Sequence, residues 1–164
     1  MPEKKGQILP ELYFFKYAFP CAFVILQRGN LSQEEYNNLN KKFLEGKSPS
    51  REILEKSFPV AFTRIKRLAE KMNKDMWDFE VIRRYWNKEH NRIINNGEGM
   101  YGKAPESFKD LCRINMAEVV ERKGNMLIVG HDRKERIVFD VLVPDAKVGD
   151  KVKIHYAYAV EKVG

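Results

Sequence analysis

The feature that most constrains this chain is a single change of hydrophobic period. Up to about Asn95 the apolar residues recur at spacings of three and four, as on one face of a helix. From Met116 onward they alternate at spacing two, the pattern of a strand with one buried face. Between these halves Gly97, Gly99 and Gly102, three of the ten glycines, fall within six residues and are followed by Pro105. Such a cluster marks a connector. The expected fold is α+β: an α-helical domain over residues 1–103, a linker at 104–110 and a small antiparallel β-barrel over 111–164.

In the first half, the aromatic-rich segment from Leu12 to Leu26 reads as a buried helix, bent or broken at Pro20, whose ring removes a backbone donor. Ser32 with Glu35 forms a capping box, and Gly46 supplies the stop. The clearest helix carries Ala61, Ile65, Leu68 and Met72 inward, with Arg64, Arg67, Lys71 and Lys74 on an adjacent stripe. Asp75 is placed to cap a further helix that turns Phe79, Ile82, Trp86 and Ile93 inward. Four or five helices are expected.

In the second half, Met116–Glu121 and Met126–Gly130 flank a turn at Arg122–Asn125, a hairpin signal. Arg136–Val143 follows, with Ile137, Phe139, Val141 and Val143 on one face. The last strand is expected to run unbroken from Lys151 to Val163, with Val152, Ile154, Tyr156, Tyr158 and Val160 on one side. His155, Ala157 and Ala159 stand on the other. A strand of that length has to coil around a small barrel of the oligonucleotide-binding type.

Composition narrows the function classes. The chain has 164 residues and is 43% hydrophobic and 32% charged, which is globular rather than disordered. Its longest apolar stretch, Ala18–Leu26, is interrupted by Pro20 and is far short of a membrane span of about 20 residues. No signal-peptide pattern opens the chain, so a cytoplasmic protein with no membrane partner is expected. Two cysteines, Cys21 and Cys112, are too few for a disulfide scaffold or a cysteine-rich zinc site. No nucleophile motif, phosphate loop or helical His pair is present, so a non-enzymatic role is expected. Thirty basic against 23 acidic residues give a net charge of +7, which admits nucleic acid or an acidic protein as partner.

One family matches the second half by the order of several features. Cys112-Arg113-Ile114-Asn115-Met116-Ala117-Glu118-Val119-Val120-Glu121, with Val148-Gly149-Asp150-Lys151-Val152 and the segment through His155, Tyr156, Ala157 and Lys162, resembles the HypC/HupF hydrogenase assembly chaperones. Those barrels open with a cysteine and an alternating strand. They close with a Val-Gly-Asp turn, a valine-rich strand and a histidine. The match covers about a third of the chain, and Cys112 is internal where the family's cysteine is amino-terminal. Ser57–Phe62 through Phe79–Asn87 looks like the helical part of a poorly characterised prokaryotic family met alongside hydrogenase proteins, and implies no chemistry.

The resemblance implies an accessory protein that works by protein–protein contact with a hydrogenase maturation protein or the hydrogenase large subunit. It implies no resident cofactor, only iron carried transiently. Cys112 would be the partner-binding and metal-ligating thiol, and His155, with Lys153 and Ala157 beside it, would complete the partner surface. For Cys112 the alternative is a buried small hydrophobe, the common fate of a free cysteine. For His155 it is packing against the chain's own helical domain. Cys21 reads as core, and His90 and His131 receive no role. A nucleic-acid-binding barrel is the alternative from another class, although the Arg64-to-Lys74 stripe also fits a solvated helix face.

Overall fold

A computed structural model describes residues 8–164. The first half is helical: α1 (Pro10–Ala18), a 3-10 turn (Phe19–Cys21), α2 (Ala22–Gln27), α3 (Gln33–Leu44), α4 (Arg51–Ser57) and α5 (Pro59–Met72). Then α6 (Phe79–Arg84), a π turn (Tyr85–Glu89) and α7 (His90–Asn95) run on end to end. A 3-10 turn (Gly99–Gly102) and α8 (Glu106–Cys112) lead into β1 (Asn115–Lys123), β2 (Met126–His131), β3 (Lys134–Phe139), β4 (Lys151–His155) and β5 (Tyr158–Val163). Among the described residues no helix is long and apolar enough to cross a membrane.

Local signals set the helix ends. Ser32 accepts from the Glu35 amide and the Glu35 carboxylate accepts from the Ser32 amide, so the capping box forms reciprocally. The cap expected at Asp75 belongs instead to Asp78, which accepts from the Glu80 amide; Asp75 holds the Trp77 amide one turn earlier. The α-helix breaks at Pro20 as expected: α1 ends at Ala18, and the chain passes through the 3-10 turn into α2. Phe14 is the hub of the helical core, with Phe58, Phe62, Trp77 and Trp86 packed around its ring. Burying each such side chain contributes about 1.5–3 kcal/mol.

The strands close into a barrel in the order β1–β2–β3–β5–β4, with β4 pairing back to β1. Ala117, Val119, Leu127, Val129, Val138, Val152, Ile154 and Ala159 fill it. All pairs are antiparallel except β3 with β5, a parallel contact at Phe139 and Tyr158, so the barrel is mixed where a wholly antiparallel one was expected. The β2–β3 turn places Asp132 and Arg133 both at positive φ, the two-residue geometry that fits the right-handed twist of a hairpin. Arg122 reaches the carbonyls of Pro144 and Ala146 and the Asp140 carboxylate, holding the long β3–β4 connection against the barrel.

Three expectations are corrected. The last strand is not continuous: Tyr156, at φ 54°, turns the chain, and β4 and β5 form a hairpin. Parity reverses across that turn, so Ala159 enters the barrel while Val160 and Tyr158 pack on the helical core. In β3 the inward residue is Val138, whereas Ile137 is 60% exposed, because the run Ile137-Val138-Phe139 carries no alternation to choose a face. Residues 104–110 are not an open linker: α8 begins within them, and Cys112 is its last residue rather than the start of the barrel.

The two halves pack directly. Cys112, Ile114 and Val160 belong to the same buried cluster as the helical core. Glu161 on β5 accepts from the Tyr17 hydroxyl at 2.5 Å and from Tyr13 at 3.4 Å, with Lys16 and Lys153 within 3.8 Å and 3.7 Å. This polar clasp joins the first helix to the last strand.

Candidate functional site

A cavity of about 640 Å³ lies where the 3-10 turn after α1, α2, α5, the π turn and the end of α8 meet the barrel. Its wall carries Cys21, Cys112, His90, His155, Arg28, Arg64, Tyr85, Trp86 and Tyr101. Among the described residues no aspartate or glutamate lines it. Arg28, Asn30, Pro59, Val60 and Gly99 on its rim are exposed, giving the cavity its opening to solvent.

Each wall residue has a local reason to be there. The tight turn at Pro20 carries Cys21 out of the α1 spiral toward the barrel. The wide π turn brings Tyr85, Trp86 and His90 all to the inner side of one helix, a use of π turns common at functional sites. Arg64 sits between the inward positions Ala61 and Leu68, so it borders the buried stripe of α5 and reaches the cavity. Tyr101 is placed by the glycine cluster: a Cβ on Gly102 would meet the Gly97 carbonyl oxygen at 3.0 Å, so the connector folds back on itself only with glycine there.

The centre of the site is a thiol–imidazole array. His155 is completely buried. Its Nδ1 lies 2.7 Å from the Tyr17 carbonyl oxygen and its Nε2 lies 3.0 Å from Cys21 Sγ. The carbonyl can only accept, so Nδ1 carries the proton and Nε2 offers its lone pair to the Cys21 thiol. Burial lowers the His155 pKa from 6.5 to about 4, with Arg136 adding to the effect and the Tyr17 and Cys112 carbonyls opposing it. The ring is therefore neutral at pH 7. His90, 5.2 Å from His155 between ring centres, is likewise held well below its ordinary value by burial and by His155.

Cys21 and Cys112 share this wall, and each shifts the other's ionisation. The Cys112 thiol is lowered chiefly by Cys21, then by Tyr101, Arg136 and Arg28, against the opposing effect of burial. Cys21 is raised well above its ordinary value by Cys112 and by desolvation. Of the two, Cys112 is the thiol that ionises more readily. Arg136 reinforces this from β3: its guanidinium holds the Tyr156 carbonyl at 2.9 Å and the Asp110 carbonyl at 3.4 Å. Among the described residues no group of three or more His, Cys, Asp or Glu side chains is arranged to hold a metal ion.

Of the residues singled out from sequence, Cys112 and His155 come together on this wall. Neither lies on the outer surface, at 1% and 0% exposure, so neither side chain is presented to a partner directly. Lys153 reaches Asn87 of the helical half and pairs with Glu161 on the neighbouring strand β5. Ala157 stays in the β4–β5 turn, its carbonyl accepting from the Phe139 amide, away from the cavity wall. Cys21, expected as core, is half-buried and contacts His155. His90 and Tyr101 had no role in the sequence reading, and Arg64 stood there only on the basic stripe weighed as a nucleic-acid surface. For Arg64 a signal existed, its flanking of the inward stripe; for His90 and Tyr101 there was none. No family model matches the sequence, and no curated protein is significantly similar to it.

Proposed function

We propose that the protein is a non-enzymatic, cytoplasmic accessory protein of the hydrogenase-assembly type, which receives an iron-bearing cargo by contact with a maturation protein or the hydrogenase large subunit. The observation that carries this reading is the convergence of Cys112 and His155, the two residues matched to the family, on one cavity that opens to solvent. A thiolate is the form that ligates iron, and the surroundings of Cys112 favour it. Iron is cargo here rather than a resident cofactor. It binds at the Cys112 thiolate and keeps other coordination positions for ligands that travel with it or come from the partner. Arg28 and Arg64 on the wall suit a cargo with negative charge.

The test is co-purification with a hydrogenase maturation protein and large subunit, with iron measured in the isolated complex. Wild type should retain iron and Cys112→Ala should lose it, while both keep the fold and the protein contact. Equal iron in the two removes Cys112 from the account. The nucleic-acid alternative predicts a mobility shift that weakens steeply with salt, as released counterions require. A salt-insensitive protein complex without such a shift counts against it.

A further inference from the structure

We propose that Cys21 and Cys112 are a redox pair, which a small hydroperoxide entering the cavity converts into a disulfide. The inference rests on geometry and is independent of any iron cargo. The two thiols come from segments far apart in sequence, yet both line the wall of one cavity that opens to solvent, and each shifts the other's ionisation. Both are free in the structure. Cys21 Sγ also lies 3.0 Å from His155 Nε2, and the Tyr17 carbonyl fixes the ring with that nitrogen unprotonated. Two free thiols and a neutral base thus share one wall.

The chemistry follows from this order. Cys112, in its thiolate form, attacks the terminal oxygen of the hydroperoxide. The O–O bond breaks, leaving Cys112 as sulfenic acid and releasing hydroxide or alkoxide. Cys21 then gives its proton to His155 Nε2 and attacks the Cys112 sulfur. The S–S bond forms and the S–O bond breaks, and the hydroxyl leaves as water with the proton that His155 carried. Two electrons pass from the thiol pair to the peroxide, and an external dithiol returns them. The disulfide ties the turn after α1 to α8 and removes the Cys112 thiolate from the cavity.

The experiment uses the full chain, reduced with dithiothreitol, freed of reductant under nitrogen and exposed to hydrogen peroxide. Free thiols should fall from two per chain to none, and dithiothreitol should restore both. Peptide mapping without reductant should show Cys21 joined to Cys112 within one chain. Cys21→Ser should leave Cys112 as sulfenic acid, trapped by dimedone, or carry it on to sulfinic acid. His155→Gln should slow disulfide formation about tenfold or more while leaving the first oxidation unchanged. Wild-type Cys112 recovered as sulfinic acid beside a free Cys21 would overturn the proposal. So would two intact thiols after a treatment that oxidises the unfolded chain, or cross-links only between chains. No partner or iron is needed, so failure here is distinct from failure of the cargo reading.

Discussion

Lowering the pH from about 7 to about 5 should cost roughly 2 kcal/mol of stability through His155 alone. In the folded protein the ring is surrounded by Tyr17, Cys21, Trp86 and His90, with Arg136 acting on it from β3, and it titrates at about 4 instead of 6.5. Between those two values the unfolded chain takes up a proton that the folded chain refuses. Stability therefore increases with pH across that window, by up to about 1.4 kcal/mol per pH unit. The contribution is complete above the unfolded value and is lost as pH falls toward the folded one. His90 is displaced in the same direction and steepens the loss. Urea unfolding of wild type and His155→Gln at about pH 7, 6 and 5 measures the effect. Carboxylate titration is common to both proteins and cancels in the difference, so the variant should lose about 2 kcal/mol less than wild type. Equal losses would show that His155 titrates normally, and would refute the buried, neutral imidazole on which the site depends.

Leu127→Ala, in the centre of the barrel at 0% exposure, should cost about 2–5 kcal/mol in urea unfolding; a loss below about 1 kcal/mol would mean that the barrel core is not packed as described. Tyr17→Phe removes one donor from the Glu161 carboxylate but leaves Tyr13 and two lysines near it. Its cost should be about 1.5 kcal/mol, the lower end for a hydrogen bond to a charged group, and a double-mutant cycle with Glu161→Gln should show coupling.

What could be read from the chain follows the range of each signal. The capping box at Ser32 and Glu35 spans four residues and is complete in the sequence, so it forms where expected. The change of period gave the two halves. The break at Tyr156 was hidden because the alternation of Val152 through Val160 runs on without a gap, and tyrosine is not a residue that announces a positive φ. The cavity was less legible still. Cys21, Arg64, His90 and Tyr101 lie on separate elements with no spacing to relate them, and only packing of the two halves brings them together. Cys112 and His155 could be paired from sequence through the resemblance alone.

The clasp between Tyr17 and Glu161 also makes the order of synthesis matter. On the ribosome the first helix emerges early, and its contacts His155 and Glu161 lie 138 and 144 residues further along from Tyr17. Until these leave the exit tunnel, the Tyr17 carbonyl, the Cys21 thiol and the aromatic wall around Trp86 have no barrel to close over them. A helical half that folds as a unit ahead of its partner, as amino-terminal portions do, would wait with that wall open. The cavity is thus completed only once β4 and β5 have emerged, which leaves an interval in which a nascent-chain binder could reach surfaces that the folded protein keeps inside.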